Sequence, residues 1–317
     1  AYPWIKDVAV YLDNMAVKSA GTRKLLMSSS PEIFDNSREA WFAETTNFDL
    51  SLIRWTYEKA AELAAELGLS EEASKWTQIL SEWPELSVDP HTGFNFAPGF
   101  PYEESHRHLS HLMAFHPLSA VDVSNGDADK KIIDNTLRNL EKYGSDYWTG
   151  YSFSWMGGLY ARAFEGENTA RVLSTFAECF CLKNSFHVNG DQCKAGHSNF
   201  TYRPFTLEGN FAFASAIQEM LLQSHTGVVR VFPAIPTSWD DVKFDNLRAQ
   251  GAFLVSATRK NSKVVSVGIV SEKGGAINIV NPFADRNFQT KKAVELSDEI
   301  IRISLKKGEQ VMLEATK

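Results

Sequence analysis

Two carboxylates in this sequence stand where chemistry is commonly built. Glu32 ends the small-residue stretch Ser28-Ser-Ser-Pro-Glu32, and Glu208 stands where Thr201-Tyr-Arg-Pro-Phe-Thr-Leu207 passes from extended chain into a helix. Two carboxyl groups held on loops can divide the cleavage of a glycosidic bond, one protonating the leaving oxygen and the other activating water. Each also has a plainer role. Ser30 as cap, Pro31 at the first helical position and Glu32 in the first turn would make an ordinary helix start. On local sequence alone that is the better reading of Glu32, although Ile33-Phe-Asp-Asn-Ser-Arg38 soon breaks any helix. Glu208 would equally serve the helix macrodipole.

Two further stretches carry polar or aromatic groups suited to a ligand. In Glu103-Glu-Ser-His-Arg-His-Leu-Ser-His111 the histidines invite a metal, but His106 and His108 are only two apart and no acid follows at zincin spacing. No metal site and no cofactor are therefore expected. Arg107 and His108 instead offer hydrogen-bond donors to a polyol or an acidic group, while His111 and His116 are expected on a helix that packs inward. In Asp146-Tyr-Trp-Thr-Gly-Tyr-Ser-Phe-Ser-Trp155, Trp148 and Tyr151 offer flat faces for a sugar ring, or are simply buried. Asn210, beside Glu208, completes the set of substrate-binding candidates.

The elements that position these groups change character along the chain. Up to about residue 225 apolar residues recur at helical spacing, most clearly over 48–67, 71–83, 127–143, 151–164, 168–180 and from Phe213 to Leu221, with long loops between. The first turn of the chain, Ala1-Tyr-Pro-Trp, runs straight into a helical pattern without an initiating methionine, which reads as the interior of a longer protein. After Gly227 the period becomes two, with strands expected at 228–232, 252–257, 263–270, 276–280, 300–305 and 310–313. The expected organisation is a helical catalytic portion over 1–226 and a β-module over 227–317.

Composition excludes several classes. The 317 residues carry a net charge of -7 with 44% hydrophobic and 12% aromatic content, as in a soluble globular protein, and lack the basic stripe of a nucleic-acid partner. No apolar run is long enough to span a bilayer. Three cysteines, Cys179, Cys181 and Cys193, are too few for a disulfide framework. No signal peptide is expected within these residues, and the compartment stays open, with secretion or a periplasmic location of the full-length protein included.

Several blocks together resemble glycoside hydrolase family 95, which includes inverting α-L-fucosidases and α-L-galactosidases. They are Ser-Pro-Glu32, Thr46-Asn-Phe-Asp-Leu-Ser-Leu-Ile-Arg-Trp55, His106-Arg-His-Leu-Ser-His-Leu112, Trp148-Thr-Gly-Tyr-Ser-Phe-Ser-Trp155, Pro204-Phe-Thr-Leu-Glu-Gly-Asn-Phe211, Glu219-Met-Leu-Leu-Gln-Ser-His225 and Phe232-Pro-Ala-Ile-Pro236. The resemblance implies part of an (α/α)6 barrel followed by a small β-sandwich-like domain. It matches Glu32 to the general acid, Arg107 and His108 to sugar-contacting residues, and Glu208 to the acidic member of the water-activating group. That member is typically aspartate and works with asparagines from earlier in the chain, which have no visible counterpart here.

The expected activity is that of an inverting exo-α-glycosidase releasing terminal L-fucose or L-galactose from an oligosaccharide or polysaccharide. The missing N-terminal part of the same protein is its implied partner, with neither nucleic acid nor membrane. The alternative from another class is a non-catalytic carbohydrate-binding protein on the same fold; a phosphorylase or polysaccharide lyase on a helical barrel is a third.

Overall fold

Seven α-helices form where apolar residues recur at helical spacing in the computed structural model, which describes residues 1–283 and 287–316. They are α1 (Tyr2–Met15), α2 (Asn47–Glu66), α3 (Ser70–Ser81), α4 (Asp127–Tyr143), α5 (Gly150–Arg162), α6 (Gly166–Cys179) and α7 (Glu208–Leu221). The chain divides into two compact units. The first comprises 1–152 and 194–201, the second 153–193 and 202–317. Lys317 and residues 284–286, within the span expected to be β, lie outside the described residues.

In the first unit α2 is the central helix. Thr46 caps it by accepting a hydrogen bond from the Asp49 amide at 3.3 Å, and Asp49 adds an acidic first turn. Leu50, Ile53, Tyr57, Ala60 and Ala64 recur every three or four residues and are buried on one face. They pack with Tyr2, Ile5 and Ala9 of α1 and Trp76 and Ile79 of α3 into one core. The unit also holds two small antiparallel hairpins, β1 (Val17–Ser19) with β2 (Thr22–Lys24) and β3 (Val88–Asp89) with β4 (Gly93–Phe94). Gly93 is required at the second, since a Cβ there would fall 1.9 Å from Thr136 Oγ1.

In the second unit Ala161, Leu173, Ala216 and Met220 join α5, α6 and α7 in a small core, and a buried Arg162 donates two hydrogen bonds to the Glu219 carboxylate. After α7 the chain is all β. The short pair β5 (Leu222–Gln223) and β6 (Arg230–Val231) leads into two antiparallel sheets. One comprises β7 (Val242–Ala249), β8 (Phe253–Lys260), β9 (Lys263–Ser271), β11 (Phe288–Gln289) and β14 (Gln310–Ala315), in the order β11-β14-β9-β8-β7. The other has the order β10-β13-β12, with β10 (Gly275–Val280), β12 (Glu295–Ser297) and β13 (Ile300–Leu305). Alternate residues of both, among them Val255, Val267, Ile279, Ile301 and Leu313, meet in a single core, the arrangement of a β-sandwich. The fold is thus mainly helical with an all-β C-terminal module, as the change of period implies.

Several local features differ from what the sequence pattern predicts. Strand β7 escapes the alternation rule because a bulge between Phe244 and Leu247, with Asn246 at φ 55°, shifts its register midway. The strand expected at 228–232 is reduced to β6. Helix α6 begins at Gly166, two residues before the expected 168, where a Cβ would lie 2.6 Å from the Ile235 carbonyl carbon. Cys179 and Cys193 form a disulfide, leaving Cys181 free. Their 14-residue separation does not reveal it. The chain returns through paired Cys181 and His187, and the Gln192 amide donates to the Cys179 carbonyl at 2.8 Å. Because a closed loop of about 15 residues is worth about 3 kcal/mol of chain entropy, Cys193→Ser should lower the urea midpoint accordingly. Reductant should lower the wild type to the same midpoint and leave the variant unmoved.

Candidate functional site

The site in the first unit is assembled by two stretches that run past each other, 28–32 and 102–111. Ser28 fixes the start of the first. Its backbone pairs with Phe42, and its hydroxyl donates to Asp49 Oδ2 at 2.6 Å while accepting from the Thr46 amide at 2.9 Å. Thr46 Oγ1 in turn donates to the Ser29 carbonyl at 2.9 Å. The cap of α2 and the anchoring of this loop are therefore one hydrogen-bonded group. Burial raises the Asp49 carboxyl above its ordinary range, against the opposing effect of the Ser28 hydroxyl.

The next three residues are each held by the second stretch. Ser30 Oγ lies 2.7 Å from Ser110 Oγ, His106 Nε2 lies 3.1 Å from the Pro31 carbonyl, and Glu32 Oε2 accepts from Arg107 Nε at 2.5 Å and lies 2.7 Å from His108 Nε2. A carbonyl only accepts, so His106 carries its proton on Nε2. Burial pushes its pKa down to about 4, which keeps the ring neutral at pH 7. Arg107 also reaches Asp35 at 3.3 Å. Its backbone carbonyl accepts from Ser152 Oγ at 2.6 Å, and the same hydroxyl accepts from the Thr149 amide.

Glu32 does not begin a helix. It has φ 55° and ψ 14°, a left-handed conformation shared in kind by Phe34, Asp35 and Asn36. The helix-start reading of Ser30-Pro31-Glu32 is therefore corrected: the carboxylate is turned to Arg107 and His108. Burial acts to raise the Glu32 pKa, but the hydrogen bonds from Arg107 and His108 and their charge outweigh it and hold the carboxyl below the usual carboxylate range.

Beneath the site, His111 lies on a 3-10 turn, Ser110–Leu112, rather than on the expected helix. It is 0% exposed, stacks on Tyr102 and packs against Phe96, and neither ring nitrogen has a partner among the described residues. His116 precedes Pro117 beyond that turn, also outside a helix. Of the two readings of Trp148, a stacking face or a buried ring, burial is the one the side chain adopts here. The side chain is 5% exposed. Tyr151 is half-buried in the first turn of α5.

In the second unit Glu208 is the first residue of α7 and is exposed. Gly209 follows because a Cβ there would meet the His187 ring at 2.6 Å. His187 is wholly buried, with Nδ1 2.8 Å from Thr206 Oγ1 and Nε2 unpartnered among the described residues. Burial lowers its pKa although Glu208 acts to raise it, so the carboxylate lies within electrostatic reach. Asn210 is committed at both ends of its amide: Oδ1 accepts from the His187 amide at 3.1 Å and Nδ2 donates to the Ser185 carbonyl at 2.9 Å. It clamps the 185–187 turn. Among the described residues Cys179, Asp191 and Cys193 are grouped closely enough to suggest a metal, but the two sulfurs are spent on the disulfide.

The structure therefore brings Glu32, Arg107 and His108 together, with Glu208 and Asn210 in the other unit. Sequence reasoning passed over Asp49, Ser110 and His187. For Asp49 the signal was available in Thr46-x-x-Asp49, a capping pattern at the start of a block already singled out.

A helical scaffold bearing a carboxylate between an arginine and a histidine is the kind of site glycosidases use. The Glycosyl hydrolase family 95 catalytic domain matches residues 1–221 and the Glycoside hydrolase family 95, C-terminal domain matches residues 223–313. The chain belongs to glycoside hydrolase family 95. It is 30% identical over 204 residues to "Alpha-L-fucosidase 2" of Arabidopsis thaliana, covering 63% of this chain and 22% of that protein. It is 25% identical over 248 residues to "Probable alpha-fucosidase A" of Aspergillus niger, covering 74% of this chain and 28% of that protein. The chain thus spans about a quarter of these relatives. Among solved structures, "Putative kojibiose phosphorylase from human microbiome" shares the fold with a TM-score of 0.57 at 9% identity, over 96% of this chain and 45% of that one.

The buried histidines make a pH prediction. Their folded pKa values, about 4 for His106 and about 3 for His111, lie below the ordinary value of 6.5, so the unfolded chain takes up protons first as pH falls. Stability is then full above about pH 7 and declines from about 6.5 toward 3. His111→Leu should raise the urea midpoint more at pH 4.5 than at pH 7.5. An equal change at both values would remove His111 from the account.

Proposed function

We propose that this chain is the acid-bearing portion of an inverting exo-α-glycosidase that releases terminal L-fucose or L-galactose from an oligosaccharide or polysaccharide. The observation that carries the reading is the Glu32 carboxylate held between Arg107 and His108 on a left-handed loop. The names of the two α-fucosidase relatives support fucose. Glu32 protonates the glycosidic oxygen. Arg107 and His108 transfer their hydrogen bonds to sugar hydroxyls as the substrate enters, and the carboxyl, relieved of its cationic partner and desolvated by the sugar, rises into the range where it carries a proton. Glu208 directs water to the opposite face, aided by residues of a longer polypeptide, a partner supported by the share of the relatives that this chain spans. The disulfide supports an oxidising compartment, secreted or periplasmic. Among the described residues no helix is long and apolar enough to cross a membrane.

The rival reading, a non-catalytic carbohydrate-binding protein, is favoured by one observation: Glu32 sits below the ordinary carboxylate range, the reverse of a resting general acid. One substitution separates the two. Glu32→Gln should lower kcat/KM for an unactivated fucosyl or L-galactosyl oligosaccharide by about 100- to 10,000-fold, and far less for the corresponding glycosyl fluoride, whose leaving group needs no proton. Equal loss on both substrates would remove Glu32 as the acid. Binding without turnover in the wild type would favour the rival.

A further inference from the structure

Immediately after Glu32 the chain enters the wall of a cleft of about 390 Å³ lined by Ile33, Phe34, Phe42, Phe96 and Phe100, with Glu103 and Glu104 at its polar end. This lies within the size of small-molecule sites, roughly 300 to 1,000 Å³. Phe34 and Phe100 are 42% and 46% exposed, yet each rests on a buried ring. Phe42 packs edge-on to Phe100 with centroids 4.7 Å apart and lies 6.3 Å from Phe34. The support is rigid on both sides. Phe42 is the backbone partner of Ser28, which anchors the Glu32 loop, and Phe100 is held by a tight turn in which Phe96 N donates to its carbonyl and its own amide donates to Ala97. Phe34 is presented to the cleft from a backbone at φ 47°. The Glu103 and Glu104 carboxylates are exposed and take no hydrogen bond among the described residues.

We infer that this cleft is the leaving-group subsite, which takes a neutral, hydroxyl-rich sugar ring stacked on Phe34 and Phe100 with hydroxyls donated to Glu103 and Glu104. The inference rests on the glycosidase reading. An acid must touch the glycosidic oxygen, so whatever departs with that oxygen lies against the residues bordering the acid, and Ile33 and Phe34 are those residues. Phenyl faces bind the C–H side of a sugar ring. Two carboxylates accept from hydroxyls and repel an anionic sugar, so the occupant is neutral.

The test compares, in the full-length protein, kcat/KM for a fucosyl-lactose with that for fucosyl fluoride, or the L-galactosyl pair if that sugar is preferred. Binding of lactose alone is followed by saturation-transfer NMR. Phe100→Leu keeps apolar bulk and removes the ring face. It should lower the trisaccharide-to-fluoride ratio about threefold to tenfold, the span expected for one aromatic contact, and abolish the lactose signal. Glu103→Lys, a surface change that leaves the rings intact, should shift preference at least threefold toward a glucuronate-bearing leaving group. Turnover with a ratio unchanged by both variants would overturn the subsite and leave the glycosidase standing. No turnover, but lactose binding that depends on Phe100, would overturn the glycosidase and keep the sugar site. Absence of both would overturn both.

Discussion

The carboxylate of Glu32 is placed by a single constraint, the stitching of residues 30–32 to residues 106–110. Ser110, His106 and the Arg107–His108 pair each hold one successive residue of the loop. Other parts of the first unit reinforce that stitching. The Tyr102 hydroxyl accepts from the His106 amide, Ser152 at the start of α5 ties down the Arg107 carbonyl, and the cap of α2 anchors Ser28 and Ser29.

The stitching also explains how the loop tolerates its backbone. Glu32, Phe34, Asp35 and Asn36 all lie at positive φ without being glycine, and each such residue costs roughly 1–2 kcal/mol relative to a right-handed conformation. Such a run persists only when surrounding contacts over-determine it. The contacts here are of that kind, including one charge-assisted pair, and those hydrogen bonds are about twice as strong as neutral ones. The outcome is a carboxylate and an adjacent phenyl ring both turned outward. A helix start at the same sequence would have given neither.

The elements were largely legible, and the site only in part. Helix α4 was read at its observed limits because Asp127, the apolar period and Gly144 mark its start, face and stop in one continuous segment. The sandwich strands were read wherever alternation is unbroken, and β7 was missed because its bulge breaks that alternation. Glu32, Arg107 and His108 were singled out by residue type, but their meeting spans 75 residues of chain, and no local pattern encodes it. The same limit explains Trp148, whose sequence setting is equally suited to a stacking platform and to a core. It explains the disulfide too, because the return of Cys193 depends on the turns at 181–187. Asn210 is a candidate by position, and what sequence does not show is that both ends of its amide are bonded to backbone groups of the 185–187 turn.

The electrostatics of Glu32 place a condition on any reaction it performs as an acid. Arg107 cannot give up its charge, so the carboxyl can gain a proton near neutral pH only if the guanidinium is drawn off or if water is removed from around it. Both changes follow from one event, a sugar whose hydroxyls compete for Arg107 and His108 while its ring covers the carboxylate. Because burial already acts to raise the Glu32 pKa and is outweighed only by those two partners, moving either partner tips the balance toward the protonated form. If Glu32 is the acid, the partners that hold its carboxyl low at rest are also what would tie its protonation to substrate. A protein that only held a sugar would use the same carboxylate as a standing acceptor for hydroxyls, whereas an acid catalyst would need it charged and hydrated only until a glycosidic oxygen arrives to receive its proton.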